Sequence, residues 1–231
     1  DFDYIIVHES GHEWWGNYLS VADWSDFWIH EGFDTYAEAM FIEEKFGIES
    51  ARNFIDERYK KNIKNKFPVV PERNGTIGLE SDNDVYYKGA HILHMLRYLI
   101  GDLTLKESLK EFIHMPKELP QNQTSTKEFI SLIHENTGTN IQWFFQQYLY
   151  SHELPTLNIA TEVIRDKKFI DLWWENEGFK MPLEITFNSF DGKRERRLDL
   201  TNSPNRIAIP AHSELTLDPD RWLLYHQNIK N

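Results

Sequence analysis

His8, Glu9 and His12 are spaced for hydrolytic metal chemistry. On an α-helix, positions four apart share a face, so His8 and His12 can aim two imidazoles at one point. Glu9 is turned off that axis, yet stays within reach of a water held there. A catalytic zinc takes three protein ligands and keeps a fourth position open, and two histidines with one glutamate form an attested set. Glu31, with eighteen residues between it and His12, is the expected third ligand, supplied from a second helix. Zinc is inferred from ligand type alone, since such a set accepts several divalent ions. The plainer reading is a surface helix that happens to carry two histidines. The neighbourhood weighs against it. Trp14-Trp15-Gly16-Asn17 follows His12, and Glu31 lies within Trp28-Ile29-His30-Glu31-Gly32-Phe33-Asp34-Thr35-Tyr36-Ala37-Glu38. A solvated face requires neither a third carboxylate nor aromatic framing.

Residues 4–17 and 26–46 read as the helices that must present these side chains, with apolar positions three and four apart. Ser20 to Asp26 is a polar connection, and Ser25 or Asp26 is the expected cap of the second helix. A helix is expected from Ser50 to about Lys64. Asn65 to Asn83, with Pro68, Pro71, Gly75 and Gly78, reads as loop. Tyr86 to Leu99 is strongly helical and ends at Gly101. Leu105–His114, Thr126–Thr137 (with a capping region at Thr124–Glu128) and Ile141–Tyr150 complete a helical set. The character changes at Pro155. Short strand-like runs follow at 157–163, 169–174, 183–187, 197–200, 206–209 and 214–217, with Asp191-Gly192 a hairpin signal. The expected organisation is a helical domain over 1–153 and a small β-domain over 154–231.

The chain has 231 residues, 40% of them hydrophobic and 14% aromatic, too apolar for a disordered chain. Its formal net charge of −12 argues against nucleic acid or an anionic membrane as partner, because both require basic patches. With no cysteine, disulfide and thiolate chemistry are excluded. No apolar run is long enough to span a bilayer.

The metal signature with its aromatic frame resembles the gluzincin aminopeptidases, the family of aminopeptidase N and leukotriene hydrolase. Val85-Tyr86-Tyr87-Lys88-Gly89-Ala90 resembles that family's Tyr-x-Lys-Gly element, which places the family's catalytic tyrosine on Tyr86 rather than Tyr87. Asn136-Thr137-Gly138, Trp143-Phe144-Phe145 and Leu154-Pro155 resemble the end of its catalytic domain. The resemblance implies a mainly α, thermolysin-like catalytic lobe followed by a small antiparallel β-sandwich domain. It implies one zinc ion per chain on His8, His12 and Glu31, and peptide substrates with a free N-terminus, whose first residue is released. Zinc would lower the pKa of a bound water to about 7. Glu9 would take that water's proton and deliver it to the leaving amine. Tyr86 would help zinc stabilise the oxyanion, unless it is simply a core aromatic.

Glu38, seven residues after Glu31, could accept a hydrogen bond from the free ring nitrogen of His8 or His12, or be a solvated carboxylate. His30 and Asp34 depart from the family pattern, which usually has Asn and a small residue there. His30 projects about 100° from Glu31 and is not expected to be a ligand. His91 and His94 read as surface or packing residues. Trp14, Trp15, Trp24 and Trp28 are expected in the core between the two zinc-binding helices.

The family's amine-reading Gly-x-Met-Glu-Asn element does not occur in the chain. The chain opens at Asp1, seven residues before its first ligand, and is expected to be part of a longer protein. An apolar face is then expected where the remainder would dock, with a tendency to self-associate. Any targeting signal would lie upstream, and an extracytoplasmic or periplasmic location is favoured over a cytoplasmic one. Two rival readings stay open: an endopeptidase of thermolysin-like chemistry, and a catalytically silent scaffold for protein interaction.

Overall fold

The computed structural model describes residues 3–72, 83–115 and 120–230, and the chain divides into two compact units, Asp1–Glu153 and Leu154–Asn231. The first is helical. It opens with α1 (Tyr4–Gly11), whose N-cap Asp3 accepts from the Ile5 amide at 3.1 Å. The helix expected to run to residue 17 stops at Gly11. The Trp14 and Trp15 amides both donate back to the Gly11 carbonyl, and Gly16 then leaves with φ +151°, a conformation suited to glycine. A two-residue parallel ribbon follows, β1 (Ser20–Val21) with β2 (Gln123–Thr124).

The long helix α2 spans Trp28–Phe46. Neither Ser25 nor Asp26 caps it. Asp23 instead caps the short turn Trp24–Asp26 through the Ser25 amide, and Asp26 accepts from the Thr126 amide at 3.1 Å. The first half of α2 is buried nearly all round, from Trp28 to Tyr36, which suits a central helix. After Gly47 the chain turns into α3 (Ile48–Phe54), which passes into a π-helical segment over Ile55–Lys60.

α4 (Tyr87–Ile100) crosses α2 at two glycines. A Cβ on Gly32 would stand 3.0 Å from the Val85 carbonyl oxygen and 3.1 Å from the Gly89 backbone. The backbones meet there because neither residue has a side chain. Tyr86 lies just ahead of α4. Lys88, fully buried on that helix, donates from Nζ to the Ser151 carbonyl at 3.1 Å. His91 and His94 are both buried, so they pack within the lobe and are not surface residues. Burial, helped by the charge of Arg97, pushes His94 down to about 3.

α5 (Asp102–His114), α6 (Thr126–Thr137) and α7 (Gln142–Tyr148) close the lobe. Ser125 caps α6 by accepting from the Glu128 amide, as in a capping box. The core is an aromatic cluster in which Trp28, Phe33, Phe112 and Phe129 stack edge to face, with Trp28 Nε1 donating to Thr126 Oγ1 at 2.7 Å. Trp15 and Trp28 are core residues. Trp14 and Trp24 are not, at 51% and 60% exposed. Early termination of α1 leaves Trp14 outward, and in the Trp24–Asp26 turn it is Ser25 and Asp26 that face inward. Among the described residues no helix is long and apolar enough to cross a membrane.

The second unit holds two sheets. One has the order β7-β4-β3-β9, from β3 (Thr156–Ile164), β4 (Lys167–Trp174), β7 (Asn205–Pro210) and β9 (His226–Lys230). The other is β6-β5-β8, from β5 (Leu183–Ser189), β6 (Gly192–Leu198) and β8 (Leu215–Leu217). Leu157, Ile170, Leu172 and Trp174 of the first sheet, and Leu183 and Ile185 of the second, are buried as core. Pairing is antiparallel except for β3 with β9, which run parallel, so this unit is mixed. The Asp191-Gly192 hairpin joins β5 to β6, and the latter begins at Gly192, five residues before the expected start at 197.

Candidate metal centre and active site

α1 and α2 pack so that His8 and His12 look onto one edge of the α2 carboxylates. His8 Nε2 lies 3.2 Å and His12 Nε2 3.6 Å from the same oxygen, Glu31 Oε2. One ligating atom from each of the three residues falls within 4.8 Å of the others. Ligands about 2.0–2.2 Å from a tetrahedral zinc stand roughly 3.4 Å apart, close to the two distances observed. The donor set, two imidazole nitrogens with one carboxylate oxygen, suits the same ion.

The far ring nitrogens are also engaged. His8 Nδ1 pairs with Glu38 Oε1 at 3.0 Å, so Glu38 serves His8 and is no solvated carboxylate. On its other side Glu38 meets Arg58 Nε at 3.6 Å, and the Arg58 guanidinium lies over the Tyr4 ring. His12 Nδ1 faces the Trp15 carbonyl oxygen at 3.2 Å and the Asp34 carboxyl. Asp34 is fully buried. Glu31, Asp34 and Glu38 follow one another by three and four residues, which places them in one stripe along α2.

This cluster is strongly electronegative. Burial pulls the His8 imidazole down, but hydrogen bonds to Glu31 and Glu38 and the charges of Glu38 and Asp34 outweigh it, raising its pKa to about 10. Asp34 is pushed up to about 9 by burial, partly opposed by His8 and reinforced by Glu31, Glu9 and Glu38. Carboxylates converging in a partly buried cleft favour a cation.

Glu9 and Tyr86 line one cavity of about 130 Å³ together with His8, Glu38 and Arg58. Glu9 lies within α1 with its side chain exposed. The Tyr86 ring stacks at 6.1 Å from His8. Burial, then the neighbouring Glu31 charge, pushes its phenol up to about 12, so it keeps its proton and can donate. His30 points elsewhere: the Val21 amide donates to its Nε2 at 3.1 Å, tying β1 to α2. In the sequence Asp34 stands out only as a departure from the family pattern, and Arg58 does not stand out at all. The three-residue step from Glu31 was a signal for Asp34, whereas nothing local marks Arg58.

Two histidines on one helix thus face a glutamate on the next within a helical unit, and a small β unit follows in the chain. The Peptidase family M1 domain matches residues 1–148, and the chain belongs to that family. Aminopeptidase N of Lactococcus lactis subsp. lactis is 24% identical over 93% of this chain and 26% of its own length. Human aminopeptidase B is 32% identical over 48% of this chain and 19% of its own. A crystal structure of Legionella pneumophila aminopeptidase A, in complex with aspartic acid, superposes with a TM-score of 0.76 at 18% identity, over 99% of this chain and 27% of that one. This last likeness shows the fold. The chain spans about a quarter of the length of Lactococcus aminopeptidase N and of the Legionella structure.

Proposed function

We propose that this chain carries the metal-binding and proton-transfer groups of a zinc aminopeptidase, one that removes N-terminal residues from peptides. The observation that carries the reading is the convergence of His8, His12 and Glu31 beside a cavity lined by Glu9 and Tyr86. His8, His12 and Glu31 would hold the ion, with Glu38 fixing the His8 ring. Zinc in that position supplies the Lewis acidity that makes water nucleophilic near neutral pH.

Glu9, exposed at the cleft, accepts the proton of the attacking water and returns it to the leaving amine. Tyr86, its phenol held protonated, donates to the substrate's developing oxyanion. Recognition of the free amine is assigned to protein outside these residues, since the family's Gly-x-Met-Glu-Asn element is absent from the chain.

The test measures zinc content and aminopeptidase activity on this chain and on a version extended upstream. Stoichiometric zinc, with activity in the extended form, is expected. Cleavage of N-terminally blocked peptides by the extended form would favour endopeptidase chemistry. Stoichiometric zinc without activity in either form would favour the scaffold reading, and no zinc in either overturns the metal site.

A further inference from the structure

At Nδ1, His8 and His12 meet different carboxyls, and the one on His12 has no counterpart in the motif. The Asp34 carboxyl makes an ion-pair contact with His12 Nδ1. It is wholly buried inside α2, and apart from that ring neither oxygen has a hydrogen-bonding partner among the described residues. A carboxyl buried this way is costly unless it is paired, so the His12 ring is its reason for being there. Gly11 makes the contact possible. A Cβ at that position would lie 2.2 Å from Asp34 Oδ1, inside any tolerable separation. Residue 11 sits directly before His12, so α1 is shaped at that point to admit the carboxyl.

The chemistry of the ring assigns the proton. His12 Nδ1 also faces the Trp15 carbonyl oxygen at 3.2 Å, and a carbonyl only accepts. Nδ1 therefore carries the hydrogen, which leaves Nε2, 3.6 Å from Glu31 Oε2, as the nitrogen whose lone pair a metal would take. Glu38 makes the equivalent contact at His8 Nδ1. Both imidazoles are thus backed by carboxyls from the same face of one helix.

We propose that Asp34 is a positioning residue for His12, locking the ring orientation and the tautomer in which Nε2 can ligate a divalent metal. The proposal rests on the metal-site reading above. Groups that back a ligating histidine are worth about 10- to 100-fold in metal affinity.

The experiment compares the wild-type chain with Asp34→Asn and Asp34→Ala, titrating zinc against a chromophoric chelator and following the His12 Nδ1 proton by NMR on ¹⁵N-histidine-labelled, zinc-loaded protein. Circular dichroism checks that each variant is folded. Asp34→Ala is expected to bind zinc about 10- to 100-fold more weakly and to move the His12 Nδ1 proton upfield, because the carboxyl acceptor is gone. Asp34→Asn preserves shape and one accepting oxygen, and is expected to recover part of both. It also keeps the test open should the alanine variant fail to fold. Wild-type zinc affinity and an unmoved Nδ1 proton in the variants would overturn the role of Asp34 and leave the metal site standing. Failure of the wild-type chain itself to bind zinc would overturn the metal site, and this role with it.

Discussion

Gly32 of α2 and Gly89 of α4 touch backbone to backbone, with a Cβ on Gly89 only 3.2 Å from Gly32 Cα. Glu31 is the neighbour of the first glycine, and Tyr86 lies three residues before the second. The proximity of ligand and phenol is thus set by a helix crossing. Gly32→Ala is expected to destabilise the chain by about 1–3 kcal/mol, since it is the backbone that must give way. Denaturant unfolding of the variant measures the loss, and an unchanged midpoint would show that α4 can shift freely. In an active upstream-extended form the same substitution should lower kcat, because the crossing also spaces Tyr86 from Glu31.

Glu9→Gln preserves size and removes the base. It is expected to keep zinc content at wild-type level while kcat of the extended form falls about 10²- to 10⁴-fold. Tyr86→Phe is expected to lower kcat about 10²- to 10³-fold with KM little changed, as for loss of one oxyanion donor. Steady-state kinetics with metal analysis on the same samples checks both. Activity retained by Glu9→Gln would remove Glu9 from the reaction.

Gly11→Ala pushes a methyl against Asp34 and should cost stability, whereas Gly11→Ala combined with Asp34→Ala removes the clash. A double-mutant cycle on metal-free protein is expected to show a coupling of roughly 1–3 kcal/mol. Additive effects would mean that α1 and α2 do not approach as closely as described.

His94 makes the lobe sensitive to acid. Its ordinary value of 6.5 is lowered to about 3 in the folded chain by burial and by the charges of Arg97, Lys60 and Arg52. A group lowered by folding contributes stability that is whole above pH 6.5 and lost as pH falls toward 3. Between pH 6.5 and 5, the melting temperature of metal-free wild-type protein is expected to fall more steeply than that of His94→Phe. Parallel curves would indicate that His94 takes up its proton without opening the lobe.

Much of the site was readable because helix geometry converts spacing into direction. The four-residue step from His8 to His12 and the seven-residue step from Glu31 to Glu38 each define a shared face, and the structure brings these groups together. Positions decided by tertiary packing were less so. Apolar periodicity carried α1 through Trp14 and Trp15, but Gly16 makes the exit and exposes Trp14. Asp34 shares a face with Glu31, yet the room left for it by Gly11 is a property of two helices together. In the second unit, Asp191-Gly192 announced its hairpin, while Lys193 to Arg197 of β6 and all of β9 are exposed and carry no alternation for a two-residue period to reveal.

The two imidazoles and the carboxyls that meet them sit on helices of unequal security. α2 has nineteen residues and is buried nearly all round through its first half. α1 has eight, only Gly11 of them buried, with Ile5 and Ile6 at 51% and 65% exposed. Short, thinly packed helices open locally long before the domain does. The consequence is kinetic: in this chain an ion would leave by fraying of α1 away from a standing row of carboxylates. Its residence time would then be governed by the local opening rate of eight residues, and substitutions that strengthen α1 would slow metal exchange without touching a ligand.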